Sequence, residues 1–422
     1  MMKLALLAGT HSGCGKTTVM LALLQYLKSR GLKPRAFKVG PDFLDPLWHA
    51  AVSGRPSYNL DTQMVGITES RRLLNSLAEE EDCCLIEGVM GMFDGRAGVG
   101  QAGSSVDLAA QLQVPVILVV DARGMSGSIV PLVSGFCDLA RQQGVSIAGI
   151  IANRLGSEHH AQLVREALAE YRLPPLIAWL SKQACVLEER HLGLKMPDME
   201  QLPDFAAALQ VDDALLSAVF SQWRGTETVR ADTSALLQGK TVAIAKDQAC
   251  CFIYPANVDW LMAQGAGVEY FSPLAGEAVP EADALWLPGG YPELHVKQLA
   301  RSATWASLKA FVESGKPVLA ECGGAMLLGE ALLAIDGRSW PMADILPFVS
   351  RMQNKLAALG YREEASGMRG HEFHFSIRES KTSLAPAFVC NGDQGIRYKN
   401  LRASYNHWYF ASAPRAASEW FS

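Results

Sequence analysis

The amino-acid sequence predicts a chain of two α/β domains, the first of which is built on a doubly wound parallel sheet. Its 422 residues exceed what one ordinary hydrophobic core holds, so two domains are expected. Short apolar runs of strand length alternate with helical segments, the pattern of a parallel sheet covered by helices. Several runs end in an acidic or amide residue, which places polar groups at the sheet edge where ligands bind.

The first predicted strand and helix flank a glycine-rich turn. Residues 4–7 are uniformly apolar, as in a buried parallel strand. The helix that follows carries Val19, Leu23 and Leu27 at four-residue spacing, and Gly31 stands where a helix C-terminus favours positive φ. The turn therefore occupies a strand-to-helix junction.

The turn itself has the composition of a phosphate-binding loop. In such loops backbone N–H groups surround a polyphosphate, a lysine reaches the β- and γ-phosphates, and a threonine hydroxyl binds Mg²⁺. The residues expected to bind nucleotide are Thr10, Gly13, Cys14, Gly15, Lys16, Thr17 and Thr18. Thr10 replaces the first glycine of the strict pattern, and Gly9 stands one residue earlier. The structural alternative is a glycine-rich turn that happens to precede a lysine.

Acidic residues follow two further predicted strands. Residues 35–39 run into a proline-containing loop with Asp42 and Asp45, which suit Mg²⁺ coordination opposite the phosphates. Their structural alternative is capping of their own turn. Residues 83–87 form another buried strand and end at Glu87, the second half of a nucleotide and metal site. Asp94, in the glycine-rich segment beyond, could contact the metal, the substrate or only its own turn.

The rest of the N-terminal half completes the alternation. Strands are expected at 115–120, ending at Asp121, and at 147–152, followed by Asn153 and Arg154. Residues 225–239 are polar enough to be a linker, so the predicted domains are 1–224 and 240–422.

Composition excludes several classes of function. A net charge of −5, from 38 basic and 43 acidic side chains, leaves no basic stripe for nucleic acid, so small-molecule partners are expected. The apolar runs are too short to span a bilayer and the chain opens on a strand, so a cytoplasmic protein is expected. The nine cysteines show no metal-ligand spacing, and most are expected to be reduced and buried.

One cysteine in the C-terminal half is different. A new α/β pattern begins at residues 241–245, and Cys322 lies between a buried strand and a helix, flanked by small residues. This matches a nucleophile elbow, in which a sharp turn exposes the sulfur and a helix N-terminus lowers the thiol pKa. The alternative is a buried structural thiol.

A thiol nucleophile needs a base and an oxyanion hole. The histidines of this half that could serve as base are His295, His371, His374 and His407. His407 is favoured because it ends a strand-like aromatic segment, residues 403–410. Gly289 and Gly290 allow a close backbone approach, so their N–H groups and that of Gly323 are the expected oxyanion hole.

These segments together resemble the cobyrinic acid a,c-diamide synthase family, over nearly the whole chain. The phosphate loop resembles that of the dethiobiotin synthetase and cobyrinate synthase branch of P-loop proteins. The other marks of the resemblance are residues 40–45, 87–91, 271–274, 289–293, 320–324 and 370–374. The resemblance implies a dethiobiotin synthetase-like P-loop domain fused to a class I glutamine amidotransferase domain.

The resemblance also implies roles for residues. Cys322 would hydrolyse glutamine through a thioester with His407 as base, although Tyr409 stands where fuller triads have a glutamate. ATP would convert the a and c acetates of the corrin to acyl phosphates, which ammonia then amidates. The remaining implied site residues are Asp45 and Asp94 (catalytic), Thr17, Asp42 and Glu87 (Mg²⁺), and Leu44 (substrate).

Several alternatives stay open at this stage. Metal-free hydrogenobyrinic acid replaces cobyrinic acid in close relatives, cobyric acid synthase shares both domains, and a nickel sirohydrochlorin substrate is more remote. An ATP-driven switch with an inactive glutaminase domain and a dethiobiotin-like ligase are different classes of protein. A homodimer is compatible with the sequence.

Overall fold

The computed structural model describes residues 3–77, 82–96, 101–184, 187, 189–190, 193–198, 200–223, 235–380 and 382–422. Packing divides the chain into two compact units, Met1–Val229 (the N-terminal unit) and Arg230–Ser422 (the C-terminal unit). The division falls inside the predicted linker, of which residues 225–234 lie outside the described residues. Residues 236–239 form a turn whose Leu237 is buried in the core of the C-terminal unit, so this part of the predicted linker packs with that unit.

The N-terminal unit alternates strands and helices over most of its length. Its strands are β1 Lys3–Gly9, β2 Pro34–Val39, β3 Tyr58–Leu60, β4 Cys83–Glu87, β5 Val116–Asp121, β6 Ile147–Leu155, β7 Leu176–Ser181, β8 Glu189–Arg190, β9 Gly193–Leu194, β10 Leu209–Val211 and β11 Ser221–Gln222. Its helices are α1 Lys16–Ser29, α2 Leu44–Ser53, α3 Ile67–Leu77, α4 Ser105–Leu112, α5 Ile129–Gln142, α6 Glu158–Glu170 and α7 Asp213–Val219.

A single large sheet organises the described part of this unit. The strand order is β10-β7-β6-β5-β1-β4-β2-β3, with β11 paired to β1. All neighbours are parallel except β10 and β11, which pair antiparallel. The predicted parallel sheet is therefore confirmed. Because β1 is central, its carboxyl end lies beside those of β4 and β5, and Glu87 comes close to the loop after β1.

The strands of the C-terminal unit are distributed over more than the one sheet that the sequence predicts. Its strands are β12 Thr241–Ala245, β13 Gly267–Phe271, β14 Ala284–Leu287, β15 Val318–Glu321, β16 Ala331–Leu333, β17 Ser339–Pro341, β18 Phe348–Met352, β19 Ala358–Glu363, β20 Arg369–His374, β21 Ser376–Ser380, β22 Ile396–Tyr398, β23 Leu401–Ser404 and β24 Asn406–Tyr409. Its helices are α8 Pro255–Ala263, α9 Val296–Leu299, α10 Thr304–Glu313, α11 Gly323–Met326 and α12 Pro414–Trp420.

Three sheets share the described strands of this unit. The main sheet, in the order β13-β12-β14-β15-β23-β22, is parallel except for its edge strand β22. A second sheet has the order β17-β16-β18-β21, and a third the order β19-β20-β24. The segment 403–410, predicted as one strand, is split: β23 belongs to the main sheet, whereas β24 and His407 belong to the third.

The predictions about membrane spans and about cysteines can be compared with the described residues. Within them, no helix is both long and apolar enough to cross a membrane. The cysteines described, which exclude Cys185, are all free thiols, and five of them are buried.

Candidate active sites

The loop between β1 and α1 is held from beneath by the end of β6. Gly15 has φ 92°, and a Cβ there would lie 2.1 Å from the Asn153 side chain, so only glycine fits. Asn153 in turn donates to the carbonyl of Cys14 at 2.9 Å, and Arg154 donates to the carbonyl of Gly13 at 3.1 Å. Because Asn153 and Arg154 bind these two carbonyls, the loop is fixed at the start of α1. The free N–H groups at the start of that helix favour an anion.

The predicted nucleotide-binding residues do not contribute alike. The Lys16 ammonium is nearly buried and donates to the carbonyl of Met90 at 2.6 Å, and burial lowers its pKa. The backbone N–H of Thr10 is bonded to the carbonyl of Val119 at 3.1 Å, so it is already used within the sheet. The Cys14 side chain is buried in the core, which leaves only the backbone of that residue to face a phosphate.

Glu87, at the end of β4, is the centre of a buried polar cluster. Thr17 donates its hydroxyl to Oε1 at 2.7 Å, and His49 donates Nε2–H to Oε2 at 2.6 Å. The Lys38 ammonium lies 3.2 Å from Oε1. Burial opposes ionisation of Glu87, but Lys38 and His49 outweigh it and hold the pKa of the carboxyl below its usual range. Glu87 is therefore a carboxylate with three donors around it.

Lys38 also binds the predicted acids of the next loop. Its ammonium lies 2.5 Å from Asp45 and 4.0 Å from Asp42, and it donates to the carbonyl of Gly88 at 3.1 Å. Asp42 Oδ1 accepts from the backbone of Leu44 and Asp45, at 2.9 and 3.2 Å, so it caps the start of α2. Burial, followed by the nearby Asp45 carboxylate, raises the pKa of Asp42 to about 7. The turn-capping alternative for Asp42 is thus present in the structure.

The donor set at this edge fits Mg²⁺ bound together with phosphates. The Thr17 hydroxyl and the Glu87 carboxylate are the hard oxygen ligands that this ion prefers. Among the described residues no group of three or more metal-ligating side chains surrounds a common point. That is compatible with Mg²⁺, which keeps several waters and binds through substrate phosphates rather than in an all-protein cage.

The last two predicted site residues of this unit, Asp94 and Leu44, differ in what they contact. Asp94 Oδ2 accepts from the backbone of Gly91 at 2.7 Å and thereby closes its own turn. Its catalytic role stays a prediction. Leu44 is half-buried at the first turn of α2, and its contact with substrate also stays a prediction.

Cys322 has the predicted elbow geometry. It lies between β15 and α11 with φ 44° and ψ −111°, a conformation rare for a residue with a side chain and typical of nucleophile elbows. Its N–H donates to the carbonyl of Ser404 at 2.7 Å, which joins the elbow to the end of β23. The main sheet therefore holds the strained backbone where β15 ends.

His407 lies beside this cysteine with only a glycine between them. A Cβ on Gly289 would lie 2.3 Å from His407 Cε1 and 3.2 Å from Cys322 Cβ. The structure therefore brings together the thiol, the imidazole and one of the predicted oxyanion glycines. His295, on the turn before α9, and His374, which donates to Glu372, are placed otherwise.

Burial sets the charge states of Cys322 and His407. It raises the pKa of the Cys322 thiol, as does the carboxyl of Glu293, and it lowers that of His407 well below its usual value. Both groups are therefore neutral near pH 7. The predicted lowering of the thiol pKa by a helix is wrong, because α11 has only four residues and its weak dipole does not offset desolvation.

The expected oxyanion hole is a crowded backbone turn. The backbone N–H of Gly323 offsets part of the rise in the pKa of the Cys322 thiol, as a donor close to the sulfur does. A Cβ on Gly323 would lie 2.9 Å from the Gly290 nitrogen, and one on Gly290 would lie 2.1 Å from the carbonyl of Ala249. Glycine is thus required at both positions by close backbone approach.

The sequence did not assign a role to Lys38 or His49, which both contact Glu87. Lys38 carried a signal, since a lysine one residue before the end of an apolar strand places its charge at the ligand edge of the sheet. His49 lies in a segment that resembles the family, but the segment by itself does not indicate what the ring contacts. Its ring is fully buried, and Ser57 Oγ lies 3.0 Å from Nδ1, so it holds Glu87 in place.

Comparison with known proteins extends this description to the whole chain. A model of the CobQ/CobB/MinD/ParA nucleotide binding domain matches residues 5–206, and one of the CobB/CobQ-like glutamine amidotransferase domain matches residues 241–415. The cobyrinate a,c-diamide synthase of Herminiimonas arsenicoxydans is 40% identical over 435 residues, covering 100% of this chain and 97% of the relative.

Two further relatives match over similar lengths. The hydrogenobyrinate a,c-diamide synthase of Stutzerimonas stutzeri is 40% identical over 431 residues, with 98% of this chain and 97% of the relative covered. The cobyrinate a,c-diamide synthase of Salmonella typhimurium is 39% identical over 448 residues, with 99% and 97% covered. With both domains matched in order and the relatives covered almost end to end, this chain belongs to the family of cobyrinate and hydrogenobyrinate a,c-diamide synthases.

Proposed function

We propose that this chain uses ATP and glutamine to convert the a and c acetate carboxylates of cobyrinic acid to amides. The observation that supports this most strongly is the pairing of Cys322 and His407 at a strained elbow, in the same chain as a phosphate loop. A phosphate loop alone would suit a switch, and a dethiobiotin-like ligase would not need a glutaminase unit.

The C-terminal unit would supply ammonia. The Cys322 sulfur attacks the γ-carboxamide carbon of glutamine while the neutral imidazole of His407 takes the thiol proton. The Gly323 N–H stabilises the oxyanion of the tetrahedral intermediate. The imidazolium then gives its proton to the leaving nitrogen, so ammonia departs and a γ-glutamyl thioester remains. Water hydrolyses that thioester to glutamate and restores the thiol.

The N-terminal unit would activate the substrate. A carboxylate oxygen of the corrin attacks the γ-phosphorus of ATP, ADP leaves, and an acyl phosphate forms. Lys16 and the backbone of residues 13–18 hold the phosphates. Mg²⁺, when bound, neutralises charge on the phosphate oxygens, and Thr17 and Glu87 are the side chains that would hold it. Ammonia then attacks the acyl carbon and phosphate leaves, which yields the amide.

Direct product analysis tests the proposal. The protein is incubated with ATP, Mg²⁺ and glutamine, with cobyrinic acid and hydrogenobyrinic acid offered separately, and products are weighed by mass spectrometry. We expect a substrate to gain two amides, each with consumption of one ATP. No amidation of either acid would refute the proposal.

The separate acids also test a second candidate, amidation of the metal-free substrate. It is favoured by the hydrogenobyrinate a,c-diamide synthase relative, which is as similar to this chain as the cobyrinate enzyme is. The acid amidated with the higher kcat/KM identifies the substrate.

One variant tests the division of labour. Cys322→Ala is expected to abolish glutamine-dependent amidation and to leave amidation with added ammonia intact, because the thiol acts only in releasing nitrogen. Cys137→Ala, which removes a half-buried thiol from α5 of the other unit, is the matched control and is expected to keep both activities. Loss of both activities in Cys322→Ala would contradict the division.

A further inference from the structure

Tyr409 stands two residues after His407, at the position where triad enzymes have a glutamate. The pairing of β20 with β24 instead places His371 directly opposite His407. Their rings are stacked, with centroids 4.8 Å apart and planes 15° from parallel. Cross-strand pairs of this kind fix side-chain orientation as well as strand register.

His371 is itself held by a neighbour from another element. The Tyr254 hydroxyl and His371 Nδ1 are hydrogen-bonded at 3.1 Å, and the ring of Tyr254 meets that of His371 edge to face, with centroids 6.1 Å apart. Tyr254 is buried, and its ring packs against Tyr409 as well. The side chain two residues after His407 therefore supports the tyrosine that holds the stacked histidine.

Two of the nearby acids, Glu372 and Glu321, are bonded to other groups. Both Glu372 oxygens are bonded, Oε1 to His374 at 2.8 Å and Oε2 to Arg362 at 2.6 Å. Glu321 accepts from the backbone of Trp408 and from the indole of Trp286. Burial lowers the pKa of His371 to about 3, so the ring stacked on His407 is uncharged at neutral pH and does not repel an imidazolium.

We propose that His371 is the positioning residue of the glutaminase: its ring, fixed by Tyr254, holds the imidazole of His407 in the plane that takes the proton of Cys322. It orients the imidazole by ring stacking. This inference rests on the glutaminase activity proposed above.

Two substitutions at one position separate the ring from its polar atom. His371→Phe keeps a flat ring and loses Nδ1, whereas His371→Asn keeps a polar atom near Nδ1 and loses the ring. Glutamine hydrolysis and KM for glutamine are measured for both and for Tyr254→Phe. Phe373→Leu is the matched control, because it removes an exposed ring two residues further along β20.

Loss of orientation should lower kcat and leave KM unchanged. For His371→Asn we expect kcat to fall ~100-fold, the effect of a reacting group misplaced by about 1 Å. For His371→Phe and Tyr254→Phe we expect losses of roughly tenfold or less, since the stack persists. An unchanged KM shows that the glutamine pocket has formed.

The outcomes distinguish this inference from the proposed function. Wild-type kcat in His371→Asn, or equal losses in His371→Asn and His371→Phe, would overturn the stacking role. A collapse of Tyr254→Phe to the level of His371→Asn would overturn it too, because the stack would then not suffice. A wild-type enzyme that hydrolyses no glutamine would instead refute the proposed function.

Discussion

Adding one methyl group at Gly289 should separate the thiol from its base. A Cβ at this position would lie 2.3 Å from His407 Cε1, whereas ordinary van der Waals contact begins at 3.4 Å. The imidazole of Gly289→Ala must therefore move by about 1 Å, and a shift of this size costs ~100-fold in rate. That factor corresponds to ~2.7 kcal/mol of transition-state stabilisation. The backbone of Gly289 does not have the positive φ that would add strain of its own.

The assay compares the two nitrogen sources in the same preparation. Amide formation from glutamine is expected to fall ~100-fold in Gly289→Ala, while amide formation from added ammonia stays at the wild-type rate. Gly267→Ala is the control in the same unit, since its Cβ would meet nothing closer than 3.5 Å. Wild-type use of glutamine by Gly289→Ala would refute the placement of the imidazole, and loss of ammonia use would refute the separation of the two activities.

Three further perturbations act on buried charges. Glu87→Gln should lower ATP-dependent amidation from either nitrogen source by ~100-fold or more and leave glutamine hydrolysis unchanged; a fall in hydrolysis would contradict this. Lys38→Met removes the ammonium that lies 2.5 Å from Asp45, so we expect urea denaturation to show a free energy of unfolding lower by ~3–5 kcal/mol. Lys33→Met, at an exposed position, is the control, and equal stability of the two variants would contradict this prediction. Burial opposes ionisation of Glu372, but the bound His374 and Arg362 outweigh burial and lower the pKa of Glu372 from 4.5 to about 2. The stability that this carboxylate contributes is therefore complete above pH 4.5 and is lost as the pH falls to about 2. Urea midpoints over that range should therefore fall more steeply in the wild type than in Glu372→Gln, and parallel curves would show that the carboxylate is not stabilised.

Local patterns in the sequence predicted the frame of both sites. The uniformly apolar run of β4, ending in Glu87, is a buried strand with a carboxylate at its ligand edge, as expected. The glycines beside Lys16 and Cys322 predicted tight turns with close backbone approach, and both turns are present. A sequence predicts such features because the backbone conformation and burial of a short segment depend on residues that are neighbours along the chain.

Other expectations failed where packing decided the outcome. The segment 403–410 reads as one strand, yet the chain changes sheets after β23, and β24 carries His407 into a separate pairing with β20. The pKa of Cys322 rises because its surroundings are buried, which the small residues beside it do not reveal. Residues 236–239, the last part of the predicted linker, pack through Leu237.

The sequence by itself determined that this chain has a phosphate loop, acids at the edge of a parallel sheet and a cysteine at a strand-to-helix turn. Only the tertiary structure decided which groups meet: His49 and Lys38 at Glu87, and His371 against the ring of His407. The physical reason is that these partners are tens of residues apart, so their contact is set by strand order and register, which no local pattern encodes.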